Sequence, residues 1–580
     1  MNSLIVNDQD YLVAGTMNLD HLKISSGSKL SAPEGKTLTM TLNGNAERIL
    51  PGKYSGNIIL NVCDDIREFF EHGKEELSYR AAAYINDGKF IPEKSVSSAV
   101  TGTVGDSEAK NITIKGNDFD FNGILVDGDS EYTISNANID LSGNGTNDFM
   151  GLGTAIMAYG NSKVLIEDCN IHTKGVCRGA LYAGANAELT VKRCILESET
   201  TNELPIGYVD HLGLGTSYTV TWPLGFDGSC RTCYFTDNAT VNIEDCHVLT
   251  DCWGSLSVDM PKKVRMNVKN TIVDLTGKNC YGAFSIGNCI DTFDHCTFNV
   301  TTGLMMASNE ASGIFKNGCI VNAKLGVLIY RNYTGTLDVL DGCVFNTTAA
   351  SIVCKGSCSS INVQGCTFNP ENGVVFQLMD NDEQPNVDGY YIDPLGEEDI
   401  HIEGRDITWA DPEEDVFLKY SDMEINGNIF NSTTNLLVNQ RCPQFEMPWS
   451  PPPGPKHSGF GADLQGPKNL DIVFDNVKIR GMISSSEARH NTVTVTRYNY
   501  NELSVVNNTV SAPVNNGVIV HLTGGSSWTV TESCWITAME ISEDSYVCAP
   551  EGKTLKMVVN NHETPVSTGT YKGMIQLIVS

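Results

Sequence analysis

A chain of 580 residues with 54 glycines, 41% apolar residues and few helix-favouring runs has the balance of a turn-rich all-β protein. Its formal net charge of −31 excludes nucleic acid and anionic membranes as partners, because phosphate recognition takes Lys and Arg. No run approaches the roughly 18 apolar residues of a membrane span, and MNSLIVNDQDYLVAGTMNLD has neither the basic start nor the apolar stretch of a signal peptide, so a cytoplasmic location with free cysteines is expected.

Residues 22–62 align without a gap to 539–579, with 18 of 41 positions identical and APEGKTL repeated whole. The Pro-Glu-Gly turn and the later PGKYSG and STGTYKG read as hairpin punctuation between alternating strands. Residues 1–62 and 539–580 are therefore expected to be related β modules at the two ends of the chain. An open β-solenoid exposes a strand edge at each end, so the modules are expected as caps. Pairing with each other, or with a second subunit in a homo-oligomer, is the alternative. GKT lacks the first glycine of a phosphate-binding loop, which sets that reading aside. Between the first module and residue 109 lies a connection in which DDIREFFEHGKEEL (64–77) predicts an amphipathic helix.

From 110 to 538 one phrase recurs: IEDCNI (166–171), VKRCIL (191–196), IEDCHV (243–248), FDHCTF (293–298), LDGCVF (340–345) and VQGCTF (363–368). In register, its key position falls at Ala137, Cys169, Cys194, Cys246, Asn270, Cys296, Cys319, Cys343, Cys366, Asn428, Val477, Asn508 and Cys534. A polar turn leads each unit, a short alternating strand follows, and a Gly-led strand closes it. Insertions interrupt the pattern near 199–236, 378–422 and 440–468. Three short strands per unit suit a right-handed parallel β-helix. The key position then stacks from coil to coil, and a small inward side chain at a bend accounts for its residue types. A linear file of thiols does not converge on a zinc ion, and SCRTC (229–233) has no second pair to complete a site.

On this coil pattern, over about 110–380 and 420–540, the chain resembles the right-handed parallel β-helix repeat proteins of the pectate-lyase-like superfamily, which includes polygalacturonases. The resemblance implies an all-β, single-stranded right-handed parallel β-helix. The polygalacturonase carboxylates and the pectate-lyase calcium-and-arginine set find no counterparts to carry over.

In such a fold a site is expected on the outer face of one sheet, walled by inserted loops. With Ile156, Leu181, Leu256, Phe284, Met305 and Leu328 inward, alternation sends two files outward. One is Met157, Tyr182, Ser257, Ser285, Met306 and Ile329. The other is Tyr159, Gly184, Asp259, Gly287, Ser308, Arg331 and Lys355. The insertion at 204–235 adds His211, Asp227 and Arg231, and neighbouring turns add Arg178, Trp253 and Tyr281. Aromatics beside carboxylates suit sugar rings and acid/base work on a glycosidic oxygen. Asp259, Asp227, Arg331, Arg231 and Tyr182 are the candidate catalytic residues, and Tyr159, Arg178, Trp253, Tyr281, Lys355 and His211 the candidate substrate contacts. No cofactor is expected, save Ca²⁺ near Asp380, Asp382 and Asp388 in the acidic stretch 380–415. The leading expectation is a lyase, hydrolase or isomerase acting on a small-molecule or oligosaccharide ligand. Its rivals are a non-catalytic structural or ligand-binding β-helix assembling through its end modules, and an enzyme acting on a non-sugar aromatic or lactone compound.

Overall fold

The computed structural model describes residues 2–47, 49–69, 76–145, 147–199, 230–252, 254–258, 263–277, 280–307, 310–379, 415–434, 469–490, 502 and 504–580. They fall into two compact units, the first ending at Ser257 and the second beginning at Val258. Short, mostly parallel strands build both, and the all-β parallel β-helix class expected from the repeat is the class observed.

In the first unit three files of strands stack in register. Glu131–Ser135, Lys163–Glu167, Glu188–Lys192 and Thr240–Glu244 form one. Asn138–Ser142, Asn170–Lys174, Ile195–Glu199 and His247–Thr250 form the next. Phe121–Asp127, Ile156–Ala158, Leu181–Ala183 and Arg231–Phe235 form the third. Alternation decides which side chains go inward: within Lys163–Glu167, Val164 and Ile166 are buried while Lys163 is exposed. The second unit repeats the scheme, and aromatic rings run through its core. Phe293 stacks on Phe315 at 4.9 Å between centroids, and Phe345, Phe368, Tyr420 and Phe474 continue the file at 5.4 to 6.4 Å.

The recurring cysteine closes a turn. The residue before it adopts the left-handed backbone conformation, at Asp168, Arg193, Asp245 and His295 with φ of 53 to 56°. This bend leaves backbone groups facing the coil interior, and the thiol serves both kinds. Cys169 Sγ lies 3.2 Å from the Glu167 carbonyl and 3.4 Å from the Ala137 N–H of the preceding coil. Cys194 and Cys246 repeat both contacts. At Cys319 and Cys343 the turn is one residue longer, absorbed by two consecutive left-handed residues, Asn317-Gly318 and Asp341-Gly342.

Register corrects the expected file in three places. Asn270 is the left-handed turn residue (φ 47°), and Thr271 takes the inward position, its hydroxyl donating to the Lys269 carbonyl at 2.9 Å. Met423, not Asn428, follows Cys366, since Val363 pairs with Tyr420 and Asp422 is left-handed. Beyond Val477 the file passes to Ser526, whose Oγ accepts from the Val477 N–H at 3.0 Å, and on to Ser545, whose neighbour Tyr546 donates its N–H to the Ser526 carbonyl at 3.1 Å, so Asn508 and Cys534 are not members.

Among the described residues of 64–77 no helix is formed. Ile66–Phe69 and Glu76–Asn86 are antiparallel strands, with Ile66 opposite Tyr79 and Phe69 opposite Glu76. Pairing puts Ile66 and Tyr79 into one buried cluster, and that tertiary burial overrides a local helical pattern.

The two end modules share one topology. In the first, Ser3–Val6 lies parallel to Met17–Ile24, which pairs antiparallel with Gly52–Asp64, then Lys36–Leu42 and Asn45–Glu47. In the second, Val518–Thr523, Cys534–Ile541, Gly569–Val579, Leu555–Val559 and His562–Thr564 follow the same order and directions. Registers match: Leu22 faces Tyr54 as Met539 faces Tyr571, and Leu38 faces Val62 as Leu555 faces Val579. The turn contacts match as well. Asn43 Oδ1 accepts from the Asn57 N–H, and Asn560 Oδ1 from the Met574 N–H, each at 2.9 Å.

Candidate functional site

The outer face of the third file in the first unit is where a groove was expected. Register aligns Leu125, Met157, Tyr182 and Tyr234 along it, with Tyr84 on the strand before. These side chains are not a floor open to solvent. They form a buried cluster with Ile66, Tyr79, Met150 and Leu152, and Phe149, Ile91 and half-buried Tyr159 pack against it. The described residues between Gly143 and Gly153, with Phe149, Met150 and Leu152 turned onto the cluster, are the roof.

Two arginines nominated from sequence hold that roof in place. Arg231 makes a bidentate ion pair with Asp148, at 2.8 and 3.1 Å, and both side chains are buried. Its guanidinium lies 4.1 Å from the Phe149 ring centroid and 4.0 Å from that of Tyr234. A planar, delocalised cation between two rings with a carboxylate in its plane is the arrangement in which Arg is stable away from water. Arg178 is also fully buried. It donates to the carbonyls of Gly143, Gly153, Asp118 and Ser142 at 2.7 to 3.2 Å, and to that of Phe121, so all five of its N–H groups are used. Tyr182 donates its hydroxyl to the Phe149 carbonyl at 3.2 Å, and burial pushes its pKa well above the ordinary value.

In the second unit Tyr281 is buried with its ring 4.5 Å from Phe284, and Lys355 is buried on Ile352–Gln364. Arg331 belongs to Val327–Val339, between Tyr330 opposite Lys355 and Asn332 opposite Cys358. Asp227, Asp259, Trp253, His211, Asp380, Asp382 and Asp388 lie outside the described residues. The structure thus gathers Tyr159, Arg178, Tyr182 and Arg231 around one roofed face.

Sequence reasoning missed three features. Asp148 is one; its only sequence signal is an acidic residue beside the apolar run FMGL in a stretch otherwise rich in Gly and Asn. The second is Asp291, which alternation on Cys289–Asp294 places inward between Cys289 and Phe293. It is fully buried, accepts a hydrogen bond from Ser285 Oγ, and burial pushes its pKa up to about 7. The third is an exposed amide ladder. Asn299 donates to Asp274 at 2.7 Å, Asn322 to Asn299 at 2.7 Å, Asn346 to Asn322 at 2.8 Å and Asn369 to Asn346 at 2.9 Å. Parallel stacking brings like residues together every coil, which is what an amide ladder needs.

Among the described residues one group brings metal-ligand atoms together: His172, Glu197 and Glu199, mutually within 4.8 Å. Two of its members already have partners: Lys174 pairs with Glu199, and His172 bonds Asp140 at 2.9 Å. Burial opposes the charge on His172, yet the bonds to Asp140 and Glu199 outweigh it and hold the imidazole pKa above its ordinary value.

No helix among the described residues is long and apolar enough to cross a membrane. Comparison with protein-family models, curated proteins and solved structures gives no match.

Proposed function

We propose that this chain is a non-catalytic β-helical scaffold whose working parts are its duplicated end modules. One observation carries the reading: both modules keep the same strand order, registers and turn contacts, although fewer than half of their aligned residues are identical. Selection for a shape rather than for a sequence points to a surface that something must fit. The residues nominated for chemistry support the same reading. Arg231 and Tyr182 direct their polar groups at the roof, Arg178 spends its own on backbone carbonyls that include Gly143 and Gly153, and Tyr281 and Lys355 are buried.

A carbohydrate enzyme is the competing reading, and it would have to draw its machinery from Asp227, Asp259, Trp253 and His211. Thermal shift and product analysis on the reduced, full-length protein separate the two. Uronates, neutral oligosaccharides, phenolic glycosides and small lactones are tested, each with Ca²⁺ and with EDTA. A ligand at 100 times its dissociation constant adds about 2.7 kcal/mol to stability, a readily measured shift. The scaffold reading expects no such shift and no product. Turnover of any panel member, lost in Asp259→Asn, overturns it.

A further inference from the structure

Among the described residues the two modules differ in what pairs along the outer edge of their first strands. In the second, Val518–Thr523 and Ser527–Val530 are the first strands of the module, and the coil before it, Leu470–Gly481, is seated along them. Leu470 faces Val518, Phe474 faces Leu522 and Ile479 faces Trp528. Trp528 is fully buried, and its Nε1 donates to the Gly481 carbonyl at 3.0 Å. The backbone joins in, the Leu470 N–H donating to the Gly517 carbonyl at 2.9 Å.

In the first module the counterpart of that surface is bare among the described residues. Ser3–Val6 is the terminal strand of its five-stranded sheet, and Tyr11–Leu12 pairs only with Leu30–Ser31. Register equates Leu4 with Val520, Val6 with Leu522 and Tyr11 with Trp528. Val520 and Trp528 are fully buried, as is Val6, whereas Leu4 and Tyr11 are only partly buried against the module's own core, and Ile5 and Leu12 beside them are 60% and 56% exposed. The Asn2 and Val6 carbonyls turn towards Met17–Ile24, so Ser3 and Ile5, of opposite parity, turn their N–H and C=O groups to the free edge. Ser3 and Ile5 correspond to Ile519 and His521, whose parity matches that of Gly517, the residue bonded to the preceding coil. An unpaired edge with apolar side chains on it is a template for another strand.

We propose that the Ser3–Val6 and Tyr11–Leu12 edge docks the last, uncapped coil of a parallel β-helix. The occupant is a strand–turn–strand segment with inward apolar residues spaced like Leu470, Ile472, Phe474, Val477 and Ile479. It offers a carbonyl to the polar tip of Tyr11, as Gly481 offers one to Trp528. This deepens the scaffold reading and rests on it.

The probe is residues 469–482 of this chain, fused ahead of the full-length protein through a flexible linker of about 35 residues, the separation of Gly481 from Val518. Tethering gives an effective concentration of order millimolar, so weak edge pairing is visible. Hydrogen exchange at Ser3, Ile5 and Leu12 should slow at least about ten-fold in the fused chain, and a scrambled 469–482 should leave it unchanged. Ile5→Pro removes an N–H that faces away from the sheet, a position where an edge strand accepts proline. It should abolish protection of Ser3 and Leu12 while the amides of Met17–Ile24 stay protected. Unchanged exchange in the fused chain, or equal slowing with the scrambled segment, overturns the proposal. Sedimentation of the unfused chain is the second arm: a dimer that Ile5→Pro converts to monomer makes a second copy the occupant and overturns the partner's identity. Turnover in the substrate panel sinks the scaffold reading and leaves the exchange result standing, so the two failures are distinguishable.

Discussion

Asp291 is a carboxyl group sealed in the coil interior, and its burial makes stability depend on pH in an unusual direction. Its pKa rises from 3.8 in the unfolded chain to about 7 in the folded one, burial being the cause and the Ser285 hydroxyl a partial offset. Well below pH 3.8 the group is protonated in both states and makes no pH-dependent contribution. Between pH 4 and 7 the unfolded chain releases the proton and the folded one keeps it, so the unfolded state binds fewer protons and stability falls as pH rises. Each unit of pKa difference is worth 1.36 kcal/mol, and about three units give a loss of about 4 kcal/mol, complete above pH 8. Asp291→Asn keeps the shape and can still accept from Ser285, but does not titrate. Urea unfolding of both proteins at pH 5, 6, 7 and 8 is the assay. The variant should gain stability over wild type progressively, by up to about 4 kcal/mol between pH 4 and pH 8. Taking the difference cancels every other titrating group. A difference that does not change with pH, or that shrinks as pH rises, refutes the reasoning.

The roof offers a second test. Arg231→Met leaves Asp148 buried without its cation and should cost about 3–5 kcal/mol in urea unfolding, while Arg231→Met with Asp148→Leu should recover most of that loss. Among the described cysteines only Cys63 and Cys548 are not buried, so a thiol reagent on native protein should modify these and spare the stacked file until denaturant is added. Burial pushes Cys358 and Cys534 up to about 12, which removes the reactive thiolate at working pH. In the file itself Cys319→Thr should cost under about 1.5 kcal/mol, since Thr271 already serves there, whereas Cys319→Leu should cost about 1–3 kcal/mol by overpacking. Thermal melts of the two variants decide the ordering.

The coil was legible because stacking imposes the same demands every turn: alternation within a strand, a left-handed residue at the bend, a small inward group after it. The misplacement at Asn270 has a physical cause. Asn suits both a stacked amide and a left-handed backbone, and the spacing alone does not separate the two; Thr271 resolves it only once register is known. The site was less legible, because alternation tells which side chains leave the coil interior and not what covers them. Asp148 reaches Arg231 across 83 residues of sequence, and no local period carries that information. The strand pair at Ile66–Phe69 and Glu76–Asn86 failed as a helix for the same reason: Ile66 and Tyr79 are placed by the cluster they complete.

A parallel β-helix is polar, and this bears on why a module appears twice. Its first coil presents one kind of edge and its last coil the other, since every strand in a file runs the same way. The module at 518–579 fits behind a last coil: its first strands are parallel to Leu470–Gly481 and its later strands turn antiparallel to end the stack. A module of the same strand order and directions at the start of the chain has the polarity of one that follows a coil. Its parallel strand, Ser3–Val6, lies at the far edge of the sheet from the antiparallel strands that follow, as a module placed behind some other coil requires. Capping alone would be served by any polar edge, charge or proline. The registers of Leu22 with Tyr54 and Leu38 with Val62 are kept, and Leu4, Val6 and Tyr11 on the leading strands join the module's own core while Ile5 and Leu12 beside them stay exposed, an edge that continued stacking can extend.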